Sequence, residues 1–124
     1  MDNINHDNFF DIHFIKEHYK NRYNELENIL KMYIEDFDDK LKSIKIEFQN
    51  KSYKKISNLG HGLKGVSAIC GLPILSEIGK TIQNLALNND LDGISNEIEK
   101  LEYFSKNLEI IIKDFINNIK NSIQ

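Results

Sequence analysis

A histidine followed three residues later by a lysine and four residues later by a glycine, His61, Lys64 and Gly65, is the group in this chain whose types and spacing could do chemistry. A neutral imidazole carries a nucleophilic lone pair, and imidazoles titrate near ~6.5, so much of that form is present at neutral pH. On a helix, residues three and four apart share a face. Lys64 would then place an ammonium against a phosphoryl oxygen and stabilise negative charge in the transition state and on a phosphorylated product. Gly65 removes the side chain that would block a bulky partner. Nucleophile, cation and clearance together describe a phosphorylatable histidine read by another protein.

The element that must position these residues is a helix, despite the glycines of Leu59–Gly65, "LGHGLKG". Ile56, Leu59, Leu63, Val66 and Cys70 stay in helical phase straight through that stretch. A loop would lose the phase, so the helix stands and accepts roughly 2–3 kcal/mol for its glycines. At about 100° per residue, His61 points about 180° from the centre of this stripe. Its neighbours on that face are Ser57, Asn58, Lys64 and Gly65, with Ala68 beyond. All but Lys64 are short, so the histidine stands in a shallow clearing beside one cation. A core histidine fits poorly, because the apolar face lies opposite. A plain solvated surface histidine is the competing reading.

The rest of the chain is helical in pattern. Residues 9–19 form a short amphipathic lead-in with Phe9, Phe10, Ile12, Phe14, Ile15 and Tyr19. Leu26, Leu30, Tyr33, Phe37, Leu41, Ile44 and Phe48 draw one stripe along a long helix. Ser52 is the expected N-cap of the histidine-bearing helix. Gly71 and Pro73 end that helix and begin the next, which carries Leu75, Ile78, Ile82 and Leu85. "NNDLDG" is a turn, and Ile94, Ile98, Leu101, Leu108, Ile112, Phe115 and Ile119 mark a long last helix. These elements predict an all-α fold, an antiparallel up-down-up-down four-helix bundle over residues 21–121, with the lead-in helix covering one end. The 124 residues fit a single domain.

At this point the sequence resembles the histidine-containing phosphotransfer (HPt) family. That family's pattern is a helical His, any residue, an aliphatic, Lys, Gly, small residues, and a Gly near the helix end. His61, Leu63, Lys64, Gly65, Ser67, Ala68 and Gly71 follow it in order and spacing, and Leu75 follows in the next helix. Val66 and Cys70 depart mildly from the pattern, and it does not demand Gly60 or Gly62. The resemblance implies that His61 accepts a phosphoryl group from a receiver-domain aspartate, or from a kinase, and passes it to another receiver. It also implies a phosphate-stabilising role for Lys64 and for Gln83, which matches a polar position on the following helix that can reach the active histidine. Ser57, Asn58, Gly65 and Ala68 would then form the docking face. The implied partners are response-regulator receivers or a hybrid sensor histidine kinase. The receiver supplies the Mg²⁺ site, so no cofactor is expected on this chain. The competing function is a non-catalytic HPt-like scaffold that binds receiver or kinase domains without being phosphorylated. A third reading is a structural bundle that dimerises through its N-terminal aromatics.

Other chemistries find little support. With 16 basic and 19 acidic residues and a net charge of −3, nothing in bulk charge points to nucleic acid or an anionic membrane. No apolar run approaches a membrane span and the N-terminus lacks a secretion signal, so a cytoplasmic monomer is expected. One cysteine, Cys70, allows no intrachain disulfide. "GHGLKG" matches a dinucleotide-binding glycine pattern by letters but has no strand before it, and "GKT" at Gly79–Thr81 falls mid-helix. The chain is thus expected to be a relay intermediate with no kinase or nucleotide site of its own. His13 and His18 are five apart, off a common helical face, and no metal site is expected. "EDFDD" at Glu35–Asp39 reads as a solvated helix side, since Phe37 faces inward, while Met32 and Ile46 lie off the stripe, where they could help dock a partner. Met1 and the full set of helices suggest a free-standing protein rather than a segment of a sensor kinase.

Overall fold

The computed structural model of the chain describes residues 8–123. Five helices follow one another: α1 (Ile12–His18), α2 (Tyr23–Gln49), α3 (Tyr53–Ile69), α4 (Pro73–Leu87) and α5 (Leu91–Ile123). No strand occurs among the described residues. Helices α2 to α5 form a closed four-membered ring in which α2 packs on α3 and α5, and α4 on α3 and α5.

Cross-helix contacts show that neighbours run antiparallel. Along α2, the residues Tyr33, Lys40 and Glu47 meet Ser67, Gly62 and Lys55 of α3 in turn. Glu27, Asp38 and Lys45 meet Lys120, Ser105 and Glu102 of α5. Connections as short as Asn50–Ser52 and Cys70–Leu72 leave no other arrangement, as expected of an up-down bundle.

Local chemistry sets the helix ends. Asp11 caps α1 by accepting from the Phe14 N–H at 3.1 Å, and Asp90 caps α5 by accepting from Gly93 N–H at 2.9 Å. Ser52 occupies the N-cap of α3 as expected, but its hydroxyl makes no capping bond. Pro73 opens α4, where a missing N–H costs nothing.

The helices differ in length, and this explains the lead-in. At 27 residues α2 runs about 40 Å, and at 17 residues α3 runs about 25 Å, at ~1.5 Å per residue. The first turns of α2 and the last part of α5 therefore overrun α3 and α4. Phe9, Phe10, Ile15 and Tyr19 fill that overrun and are all buried. Phe10 stacks on Phe115 of α5 at 3.8 Å between ring centres, and Phe9 lies 5.4 Å from Phe104. Asp11 N–H donates to the Gly71 carbonyl at 2.9 Å, tying the segment to the α3–α4 turn. Phe9 and Phe10 are thus buried within one chain.

Candidate functional site

The inward line of α3 is Ile56, Gly60, Leu63, Ser67 and Cys70, all buried. The expected line had Leu59 and Val66 where the structure places Gly60 and Ser67; those two apolar residues are only half-buried. The apolar face is turned by about 40° at ~100° per residue. The cause is α4, which approaches over glycine: a methyl group on Gly60 would lie 2.8 Å from the Gly79 carbonyl oxygen and 2.9 Å from the Gln83 backbone nitrogen. Gly60 is therefore a crossing point that no larger residue fits.

That turn corrects one expected docking residue. Ser57 rotates inward and is 8% exposed, so it is not available to a partner. The others keep their places. His61, Asn58, Gly65 and Ala68 are exposed, and Lys64 and Gln83 are half-buried. Around Gly65 nothing lies within 4 Å of where a Cβ would be, so the clearing beside His61 is open space. The Lys64 carbonyl accepts from the Ser76 hydroxyl of α4 at 2.9 Å, which holds the lysine's backbone against α4.

Two further features border the site, and of their residues Ile46 was expected from the sequence to lie off the α2 stripe, where it could help dock a partner. Lys40 of α2 lies over Gly62, its Cε 3.5 Å from where a Cβ would sit, with its ammonium 2.5 Å from Asp36. Asn58 and Leu59 also line a groove of about 370 Å³ against Ser43, Ile46 and Glu47 of α2. Ile46, at 60% exposure, is an apolar edge of that groove. Neither feature has a local signature, because each depends on which residues of α2 lie beside α3.

Behind the histidine the helix is held by polar as well as apolar contacts. The Tyr33 and Ser67 hydroxyls are 2.6 Å apart in the core. Burial raises the Tyr33 phenol well above its ordinary range, so it stays neutral and able to donate. Burial also pushes the Cys70 thiol up to about 11, which keeps it protonated and inert. Among the described residues no three His, Cys, Asp or Glu side chains are arranged to hold a metal ion, and no helix is long and apolar enough to cross a membrane. The "GKT" stretch lies inside α4, where no phosphate-binding loop exists.

The site is thus an exposed histidine on a helical bundle, with a lysine one turn on and open space at Gly65. The family model described as "Hpt domain" matches residues 28–121. The chain belongs to the Hpt domain family. Multistep phosphorelay regulator 1 of Schizosaccharomyces pombe is 33% identical over 92 residues, which cover 71% of this chain and 30% of the relative. The chain therefore spans less than a third of that relative's length. No solved structure matches it.

The Hpt motif maps onto α3 and its end. Gly71 closes the motif with φ of +74°, a left-handed conformation that glycine adopts without strain. Its N–H donates to Ala68 O at 3.1 Å and Leu72 N–H donates to Ser67 O at 2.9 Å, satisfying the last carbonyls of α3. A Cβ on Gly71 would also fall 2.7 Å from Ile15 of α1. In this Hpt domain the motif's last glycine thus serves both the helix end and the seating of the lead-in helix.

Proposed function

We propose that this protein is a phosphorelay intermediate that takes a phosphoryl group onto His61 from a receiver-domain aspartate, or from a kinase, and hands it to a second receiver. The observation that carries the reading is His61, exposed on the outward face of α3, with Lys64 one turn on and open space at Gly65. In the transfer step an imidazole nitrogen attacks the phosphorus of the aspartyl phosphate. The N–P bond forms as the P–O bond to the aspartate breaks, and the aspartate leaves as a carboxylate. The other ring nitrogen keeps its proton. The Lys64 ammonium offsets the charge on the phosphoryl oxygens, and the Gln83 amide donates to one of them.

Docking uses Asn58, Gly65 and Ala68, with the α2–α3 groove and Ile46 beside them. The Mg²⁺ that assists the step belongs to the receiver's acidic site. The chain itself brings no kinase or nucleotide site, and acts as one domain, a cytoplasmic monomer. The test is to mix the protein with a phosphorylated receiver domain and Mg²⁺ and to follow acid-labile, base-stable phosphate. Label on the wild type and none on His61→Gln supports the proposal. Receiver binding without label on the wild type would replace it with the scaffold reading.

A further inference from the structure

Gly60 of α3 and Gly79 of α4 meet backbone to backbone. A methyl group on Gly79 would lie 2.6 Å from the Lys64 backbone nitrogen, 2.7 Å from the Gly60 carbonyl oxygen and 3.1 Å from the Lys64 Cα. Non-bonded carbon contacts are comfortable at about 3.5–4.0 Å, so even one methyl on either side would part the helices by about 1 Å. The obstructing atoms are main-chain atoms of a helix and cannot swing aside as a side-chain tip would. Glycine is among the poorest residues for a helix interior. Two of them at one crossing therefore oppose local helix stability on both partners, and what they achieve is closeness.

The groups of the site are referenced to this contact. Gly60 immediately precedes His61. The Lys64 backbone abuts Gly79 on one side and accepts from Ser76 on the other. The Gln83 backbone nitrogen abuts Gly60, the residue before His61, so the same contact sets where α4 carries Gln83 relative to the histidine. Nucleophile and cation ride on α3 and the amide on α4, and a single rigid crossing sets the distance between them.

We propose that Gly60 and Gly79 are positioning residues of the phosphotransfer site, holding α4 close enough for Gln83 to act on a phosphoryl group carried by His61. This rests on the phosphotransfer reading of His61. Widening the crossing withdraws Gln83 while leaving His61 and Lys64 on their own helix, so the nucleophile survives and its phosphorylated state loses a hydrogen bond.

The experiment uses phosphoramidate as donor, which removes partner docking from the measurement. The imidazole attacks its phosphorus, the N–P bond to ammonia breaks and ammonia leaves. Uptake and the half-life of the phosphohistidine are compared for wild type, Gly79→Ala, Gln83→Ala and the double variant, at a temperature where circular dichroism shows each fully folded. Gly62→Ala is the control, since its new methyl meets only the Lys40 side chain at an ordinary 3.5 Å. Gly79→Ala is expected to shorten the half-life or slow uptake about ten-fold, in keeping with the sensitivity of positioned groups to shifts near 1 Å. Gly62→Ala should match wild type, and Gln83→Ala should add almost nothing once Gly79→Ala is present. A folded Gly79→Ala protein with wild-type uptake and half-life overturns the proposal, as do fully additive effects of the two changes. If Gly79→Ala does not fold, the Gln83 side-chain amide resonance of the wild type decides: it shifts on phosphorylation if the proposal holds and stays fixed if it does not. A folded wild type that takes no phosphate on His61 from this donor or from a receiver overturns the phosphotransfer reading itself, and this proposal with it.

Discussion

The hydroxyl pair between Tyr33 and Ser67 offers a sharp test of how α3 is held behind the histidine. Ser67 is 0% and Tyr33 2% exposed, and their oxygens are 2.6 Å apart. Ser67→Ala removes the phenol's hydrogen-bond partner and strands it in the core, where an unpaired hydroxyl costs about 1–3 kcal/mol. Tyr33→Phe strands only the serine hydroxyl, which can turn back to a carbonyl of its own helix, so its cost is near ~1 kcal/mol. The double variant strands nothing, and the two changes should therefore couple by roughly 1–2 kcal/mol. Urea unfolding followed at 222 nm, fitted with a common slope, reads these differences. For a domain of this size each kcal/mol moves the thermal midpoint by about 3–6 °C. Phosphotransfer by folded Ser67→Ala should match wild type, because Ser67 points away from His61. Additive costs, or a Ser67→Ala loss below about 0.5 kcal/mol, would show that the bond contributes nothing net and would refute the reasoning.

Further expectations concern separate parts of the molecule. Lys64→Ala should leave thermal stability nearly unchanged while slowing transfer or shortening phosphohistidine lifetime; unaltered kinetics would show that the ammonium is unused. Leu63→Ala, at a site 1% exposed, should cost roughly 2–5 kcal/mol in urea unfolding. Gly71→Ala should destabilise both through its φ of +74° and through collision with Ile15, with the loss seen as faster amide exchange across α1. Lys120 at 2.5 Å and Lys31 at 3.0 Å hold the Glu27 carboxyl below its ordinary value of 4.5. Because the folded value is depressed, its contribution is present above 4.5 and is lost as pH falls through the folded value. A Glu27→Gln variant should therefore show a shallower drop in thermal midpoint across that acid range than the wild type.

The motif around His61 was legible because it is local. His61, Leu63, Lys64, Gly65 and Gly71 lie on one helix and its cap, so their relation follows from helical geometry. What was misread in α3 came from a neighbour. An apolar stripe assigns the core by hydrophobicity, and this places Leu59 and Val66 inward. Close packing against α4 puts the smallest residue at the contact instead. Gly60 is inward because α4 passes over it, and Ser67 because Tyr33 waits there with a hydroxyl. Ser57 was carried inward by the same turn, which removed it from the docking face.

The amino-acid sequence by itself determined the helices, their antiparallel order and the exposure of His61 opposite an apolar face, because these depend on periodicity, caps and connections too short to permit anything else. The tertiary structure alone decided how far apart the helices sit. That distance made Gly60 and Gly79 partners, set the Gln83 backbone against Gly60 and laid Lys40 over Gly62. Interhelical spacing depends on the shapes of two surfaces at once, and neither strand of residues records the other's shape.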